Sequence, residues 1–164
     1  MSSTQTANPA AVVESRCGEF VISTDAARLD LDVIHGFLTN SYWATAIPRE
    51  RVALSIEHSL CFGVYDGSGA QVGFARVITD FATFAYIADV FVLESHRGLG
   101  LGKGLMASIR RHPALQGFRR WSLSTRDAHA LYAQFGFTPL KFPDRYMEIL
   151  RLNPYEKSEE RKIG

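Results

Sequence analysis

The sequence predicts an α/β or α+β fold, in which helices cover both faces of one mixed β-sheet. Strand-like and helix-like segments alternate along the chain, which is the main sign of such a fold. A turn at Asp66–Gly69 joins two apolar segments as a hairpin, and a later strand leads into a glycine-rich run that opens a helix. A chain of 164 residues, 46% of them hydrophobic, is long enough for one domain with a sizeable core.

The first half of the chain contains two predicted helices and three predicted strands. Apolar residues recur at helical spacing between Asp30 and Asn40 and predict the first helix. Pro48 suits the first position of a second helix that runs to His58. The predicted strands are Glu19–Ser23, Leu60–Tyr65 and Gln71–Thr79.

The second half continues the alternation. Its predicted elements are the strand Phe81–Leu93, the helix Leu101–Arg111, the strand Arg120–Ser124, the helix Asp127–Phe135 and the strand Tyr146–Leu152, which is expected to close the sheet. Residues 1–13 are small and polar, and we expect them to be disordered. Residues 153–164 form a charged tail, so we place the single domain at residues 14–152.

Composition excludes several classes of function. A net charge of +1 gives no broad attraction to nucleic acid. No apolar run is long enough to span a bilayer, and the N-terminus does not resemble a signal peptide. Cys17 and Cys61 lie far apart and form no metal or redox motif, so we expect no bound metal and a cytoplasmic protein.

Four glycines alternate at positions 98, 100, 102 and 104, between a predicted strand and a predicted helix. Glycine lets the backbone approach a ligand closely, because no side chain intervenes. Free N–H groups at a helix N-terminus bind anions. The run therefore predicts a site for phosphate or pyrophosphate, although a single glycine in a tight turn is the simpler alternative.

Two common phosphate-binding motifs do not fit. The nucleotide triphosphatase loop needs glycine where Arg97 stands and a hydroxyl where Gly104 stands. The dinucleotide fingerprint Gly-x-Gly-x-x-Gly, begun at Gly98, meets Lys103 in place of its last glycine. A dinucleotide oxidoreductase is therefore disfavoured.

A third pattern fits in three places. The run Arg97-x-x-Gly100-x-Gly102 resembles the acyl-CoA pyrophosphate loop of the GNAT superfamily of N-acyltransferases. The segment Tyr86–Glu94 resembles the central strand of that family, which carries the pantetheine arm. The run Ala128-x-x-Leu-Tyr-x-x-x-Gly-Phe137 resembles a second family motif, and the resemblance extends over residues 17–152.

The resemblance implies a mixed sheet of six to seven strands that is splayed where acetyl-CoA enters as cosubstrate. Arg97 is expected to contact phosphate, with capping of local carbonyls as the alternative. The family often has asparagine where Thr125 stands, and Thr125 is either a pantetheine contact or a helix N-cap. The residues expected at acetyl-CoA are Val90, Phe91, Val92, Arg97, Gly98, Leu99, Gly100, Leu101, Gly102, Lys103 and Thr125.

Two residues are candidates for the chemistry. Tyr132 matches the tyrosine of the family motif, and a phenol can protonate a departing thiolate as a general acid. Its alternative is a core aromatic. Asp89 is a carboxylate within an apolar strand, which suggests either a general base or an ion pair with Arg76 or Arg126. A backbone N–H near Phe91 is expected to polarise the thioester carbonyl.

The expected acceptor is a small-molecule or peptide amine, and its identity is left open. Tyr42 and Trp43 lie on the connection between the first two helices and are expected to form a lid over the acceptor, unless they pack on the core. The predicted activity is transfer of an acetyl group from acetyl-CoA to a primary amine by direct attack in a ternary complex. The alternative is a non-catalytic acyl-CoA sensor, and a homodimer is compatible with either function.

Overall fold

The structure, a computed structural model, describes residues 7–156. Residues 1–6 and 157–164, which belong to the two expected flanking segments, lie outside the described residues. The described chain contains one sheet with the order β1-β2-β3-β4-β5-β6. The strands are β1 Glu14–Cys17, β2 Phe20–Ser23, β3 Leu60–Tyr65, β4 Gln71–Thr79, β5 Phe84–Val92 and β6 Arg120–Leu123.

The sheet is mixed because its last pair differs from the others. Neighbours from β1 to β5 are antiparallel, whereas β6 runs parallel to β5. β6 pairs only with Phe84–Ile87, the first part of β5. The second part of β5 has no β6 partner, so the sheet is splayed there, which confirms the predicted mixed and splayed fold.

In residues 7–156, four α-helices cover the two faces of the sheet. They are α1 Leu31–Leu38, α2 Arg49–Glu57, α3 Leu101–Arg111 and α4 His129–Ala133. One core contains the inward side chains of α3 and those of the central strands. A second core on the other face packs Ile34 of α1 and Val52 of α2 against Phe74 and Phe91. Helices on both faces are thus confirmed.

The first strand was not predicted. β1 forms a hairpin with β2 through Gly18, whose φ of +59° suits glycine. The residues of β1 are polar and only partly buried, so the apolar alternation that would indicate a strand is missing.

The predicted strand Tyr146–Leu152 is wrong: this part of the described chain has no regular element. Met147 is 98% exposed and Ile149 is 97% exposed. The apolar pattern of this segment indicates strand propensity, but a strand also needs a pairing partner, and no residue of the segment pairs with β6 in this structure.

Candidate functional site

The glycine-rich loop places free backbone donors at the start of α3. Gly98 and Gly100 have φ values of +80° and +76°, which an L side chain rarely adopts, and Gly100 is the N-cap. The first helical hydrogen bond runs from the Gly104 N–H to the Gly100 carbonyl over 3.0 Å. The amides of residues 101–103 have no backbone acceptor among the described residues. Residues 101–103 border a cavity of about 290 Å³, so the loop has the geometry of an anion site.

The four alternating glycines have different structural causes. Positive φ explains Gly98 and Gly100. A methyl group on Gly102 would lie 3.6 Å from Leu131 Cδ2, an ordinary contact. A methyl group on Gly104 would lie 2.7 Å from Cys17 Sγ, so this glycine allows α3 to pack against β1. Because Gly104 is explained by packing, the alternating pattern as a whole does not reflect ligand binding.

The loop also carries cationic side chains. Arg97 Nε donates to the Val92 carbonyl over 3.4 Å. The side chain thus caps a local carbonyl, which the sequence analysis gave as the alternative to a phosphate contact. The side chain of Lys103 is exposed at the rim of the cavity. Neither cation has a carboxylate within 4.0 Å among residues 7–156. The positive charge of the loop is thus available to an anion.

A larger cavity of about 500 Å³ fills the splay between β5 and the residues that follow β6. Val90 lines this cavity and Val92 lines the cavity at the glycine loop, so the backbone of β5 connects the two. The residues that line the larger cavity are Tyr42, Trp43, Tyr86, Ile87, Ala88, Asp89, Val90, Ser124, Thr125, Arg126, Asp127, Ala128 and Tyr132.

Asp89 occupies a β-bulge on the wall of the larger cavity. The register places Asp89 and Val90 opposite the single residue Ala75 of β4, and Asp89 has a φ of +54°. Its side chain is 12% exposed and forms a 2.8 Å ion pair with Arg76 Nε. The Trp43 indole N–H donates to the other carboxylate oxygen over 3.1 Å. The expected alternative of an ion pair with Arg76 is therefore present, and both oxygens of Asp89 have partners.

Tyr132 lies within α4, the helix that follows β6. The residue is 8% exposed and packs edge-on against Phe137, with ring centroids 6.0 Å apart. It nevertheless lines the larger cavity. Burial raises the pKa of Tyr132 above its ordinary value of 10, so the phenol is protonated at neutral pH. This environment suits both a core aromatic and a proton donor.

Tyr42 and Trp43 bridge the opening of the larger cavity, and they are 46% and 43% exposed. The Tyr42 hydroxyl accepts the Arg126 backbone N–H over 3.3 Å, and the Arg126 guanidinium lies 3.8 Å from the centre of the Tyr42 ring. Since Trp43 bonds to Asp89 on β5, the α1–α2 connection contacts both sides of the splay. Arg126 was not predicted as a cavity residue, although its place after the end of β6 was a usable signal.

Two further expected contacts have local roles as well. Thr125 Oγ1 accepts the Ala128 N–H over 3.1 Å, which leaves its hydroxyl hydrogen to donate elsewhere. The N-cap of α4 is Ala128, so the N-cap alternative for Thr125 is wrong. Phe91 is buried and stacks on Phe37, with centroids 4.0 Å apart. Its backbone N–H, not its ring, was the predicted functional group.

Other kinds of site were sought in the described part of the chain. No group of three or more His, Cys, Asp or Glu side chains in residues 7–156 is placed to hold a metal ion. None of the helices in the same range has the length and apolar character needed to cross a membrane.

Comparisons with known proteins agree on one family. A family model for the acetyltransferase (GNAT) domain matches residues 57–139. A protein of Gibberella zeae, named a putative acetyltransferase, is 33% identical over 139 residues, or 71% of this chain and 77% of its own.

Solved structures extend the comparison to the fold. The crystal structure of a putative GNAT-family acetyltransferase from Xanthomonas campestris pv. campestris is 51% identical, with a TM-score of 0.82 over 84% of this chain and 97% of its own. A GNAT-family acetyltransferase from Elizabethkingia anophelis with acetyl-CoA bound has a TM-score of 0.59 over 83% of this chain and 90% of its own. At 14% identity, this second likeness concerns the fold alone.

Proposed function

The chain belongs to the GNAT family of acetyltransferases, and from that premise we propose that it transfers an acetyl group from acetyl-CoA to a primary amine. One observation carries the proposal: the anion site of the glycine loop and the cavity in the splay are connected by the backbone of β5. A long cosubstrate whose pyrophosphate and thioester are separated by a pantetheine arm fits this arrangement.

The residues at the two cavities divide the binding of acetyl-CoA between them. The free amides of residues 101–103, with Arg97 and Lys103, would hold the pyrophosphate. The backbone of Val90–Val92 and the Thr125 hydroxyl would bind the pantetheine arm. Acetyl-CoA supplies an activated acyl group, so a neutral amine attacks it directly and no protein nucleophile is required.

Tyr132 is proposed as the general acid. Its phenol borders the larger cavity and is kept protonated by burial. It would donate its proton to the departing thiolate of CoA. A backbone N–H near Phe91 would polarise the thioester carbonyl while the amine attacks.

Asp89 is proposed as the base that accepts the proton of the amine, and its partners define the test. Asp89→Asn keeps one acceptor oxygen, which can serve Trp43 or Arg76 but not both, and removes the negative charge. A base at this position predicts a large fall in kcat and loss of the acidic limb of the pH–rate profile. A positioning role predicts lower stability with an unchanged pH profile, and that result would remove Asp89 from the chemistry.

A non-catalytic acyl-CoA sensor is the second candidate function. It is favoured by the carboxylate of Asp89, which is already paired on both oxygens. A sensor would bind acetyl-CoA at the same loop without releasing CoA when amines are supplied.

The expected compartment is the cytoplasm, on the sequence argument alone.

The direct experiment measures CoA release with a panel of small amines and peptides. Tyr132→Phe removes only the hydroxyl, so we expect kcat to fall by about one to three orders of magnitude while the KM for acetyl-CoA changes little. Tyr155→Phe is a matched control, because it removes the same hydroxyl group from a tyrosine that lines neither of the two cavities. Wild-type turnover by Tyr132→Phe, with the chemical step rate-limiting, would make Tyr132 a core residue. Binding without turnover for every acceptor would favour the sensor.

A further inference from the structure

The larger cavity contains an arginine that is available to a ligand. Among residues 7–156, Arg126 is the one cationic side chain that lines this cavity. In the part of the chain that the structure describes, no carboxylate lies within 4.0 Å of its guanidinium, and the guanidinium N–H groups have no acceptor. Arg76, by comparison, is paired with Asp89 and donates to Ser59, so its charge is already used.

The aromatic side of the cavity holds this arginine in position. The guanidinium carbon of Arg126 lies 3.8 Å from the centre of the Tyr42 ring, and the Arg126 backbone N–H donates to the Tyr42 hydroxyl over 3.3 Å. Stacking occupies a face of the guanidinium plane and leaves the N–H groups at its edge free to donate. A carboxylate fits that edge with two parallel hydrogen bonds. Arg126 is therefore placed to bind a carboxylate of a ligand.

The next residue supplies the opposite charge. Asp127 lines the same cavity and has no ion pair within the described range. It lies near the proposed proton donor, because burial and then the electrostatic influence of Tyr42 and Asp127 raise the pKa of Tyr132. The charge of Asp89 is balanced by Arg76. The available charges of the cavity are thus one positive and one negative, which suits a ligand that carries both.

We propose that the acceptor is a free α-amino acid, whose carboxylate binds Arg126 and whose amino group lies toward Asp127 and Tyr132. The reaction of this ligand rests on the proposed acetyl transfer, whereas its binding does not. An amine without a carboxylate would leave Arg126 unpaired. The first residue of a peptide carries a neutral amide in place of the carboxylate, so it would leave Arg126 unpaired as well.

The aromatic lining favours an apolar side chain on the amino acid. The rings of Tyr42, Trp43 and Tyr86 border the cavity. Trp43 is 43% exposed and Tyr86 is partly buried, so both have ring surface that a ligand can cover. Covering apolar surface adds to binding in proportion to the area removed from water. We therefore expect phenylalanine and leucine to bind more tightly than glycine.

The transfer step converts the amino acid into its N-acetyl derivative. The bound ammonium first loses one proton to solvent, because only the neutral amine is a nucleophile. The nitrogen then forms a bond to the acetyl carbon, and the bond from that carbon to sulfur breaks. Asp89 takes a second proton from the nitrogen, and Tyr132 gives its proton to the departing thiolate. The products are the N-acetyl amino acid and CoA, with one proton released overall.

Calorimetry of the CoA-bound protein measures recognition without turnover. L-phenylalanine, L-phenylalaninamide and phenethylamine share an amine and a ring and differ at the carboxylate. We expect L-phenylalanine to bind about 10- to 100-fold more tightly than the other two, as a charge-assisted pair of hydrogen bonds implies. L-leucine and glycine test the contribution of the side chain.

Two variants assign the charges to their residues. Arg126→Gln removes the guanidinium but keeps the backbone N–H that donates to Tyr42. It should abolish the preference for L-phenylalanine and leave the affinity for phenethylamine unchanged. Asp127→Asn should weaken both ligands, because both carry the ammonium group.

Arg119→Gln is the matched control for the arginine variant. Arg119 is an exposed arginine that lines neither the larger cavity nor the cavity at the glycine loop, so this variant should bind all three ligands as the wild type does. Equal losses of affinity for all three ligands in Arg126→Gln would show that Arg126 only supports the structure of the cavity, and would overturn the proposal.

Release of CoA from acetyl-CoA separates this inference from the proposed function. Faster release with L-phenylalanine than with phenethylamine, lost in Arg126→Gln, supports both. Binding of L-phenylalanine that depends on Arg126 but gives no CoA release would keep the amino-acid site and contradict acetyl transfer. Release with phenethylamine but not with L-phenylalanine would overturn the amino-acid site and keep acetyl transfer. The proposal is also overturned if neither L-phenylalanine nor L-leucine binds to the CoA-bound protein.

Discussion

Replacing Gly104 by alanine would place a methyl group 2.7 Å from Cys17 Sγ, 3.1 Å from Cys17 Cβ and 3.2 Å from Ile22 Cδ1. The contact with Cys17 Cβ is the most rigid, because that atom is attached to the backbone of β1. Overpacking of this kind costs about 1–3 kcal/mol. The change from glycine to alanine inside a helix returns about 1 kcal/mol. We therefore expect a net loss of up to about 2 kcal/mol in the free energy of unfolding.

Urea unfolding measures this loss, and two further variants identify its cause. In a Cys17→Ala background the sulfur is absent, so the penalty of Gly104→Ala should become smaller. Gly102→Ala should be neutral or slightly stabilising, because its methyl group would make only an ordinary contact with Leu131. A stabilised Gly104→Ala would refute the packing explanation, whereas an equal penalty with and without the Cys17 sulfur would assign the clash to Cys17 Cβ instead.

The same variants separate packing from ligand binding. Gly104→Ala should leave the affinity for acetyl-CoA unchanged in the folded protein, since its methyl group points at β1. Gly102→Val should weaken that affinity, because a branched side chain would crowd the free amides at the start of α3. Calorimetry measures both. Unchanged affinity in a folded Gly102→Val protein would contradict the pyrophosphate assignment.

Two other changes have defined outcomes. Trp43→Ala should raise the KM for the acceptor more than the KM for acetyl-CoA, because Trp43 lines the larger cavity. If the variant is less stable and both KM values are unchanged, Trp43 is a core residue. His112 is buried and its Nε2 has no hydrogen-bond partner among the described residues, and burial lowers its pKa below the ordinary 6.5. The imidazole of His112 therefore binds a proton more readily in the unfolded chain than in the folded one. The free energy of unfolding is accordingly unaffected by this group above about pH 6.5 and decreases as the pH falls below that value. His112→Asn keeps an acceptor for the Ala114 amide and should flatten this part of the stability curve; equal slopes for the two proteins would contradict the argument.

Local signals predicted most of the fold well. The bounds of β3, β4 and α3 agree with the structure, since each is an apolar or amphipathic run between turn residues. β5 begins at Phe84 and not at Phe81, because the Asp80 carboxylate accepts three successive backbone amides and forms a turn. That turn depends on side-chain hydrogen bonds, which hydrophobic periodicity does not reveal.

The site was predictable in its residue types and less so in its contacts. Positions of the glycine loop and of the Tyr132 motif could be taken from the sequence. The bulge at Asp89 and its pairing with Arg76 depend on the register between β4 and β5, which single-sequence patterns do not define. For the same reason, the strand propensity of Tyr146–Leu152 did not reveal that this segment has no pairing partner in the described part of the chain.

The two tryptophans of the chain lie in separate places, and this gives the protein two intrinsic fluorophores. Trp43 borders the larger cavity and donates to Asp89, so its emission will respond when an acceptor enters or the lid moves. Trp121 lies on β6 between Phe118 and Arg110 and does not line that cavity, so its emission will change less. Single-tryptophan variants would therefore separate the optical signal of ligand binding from that of the second fluorophore, without a label and in the same solution.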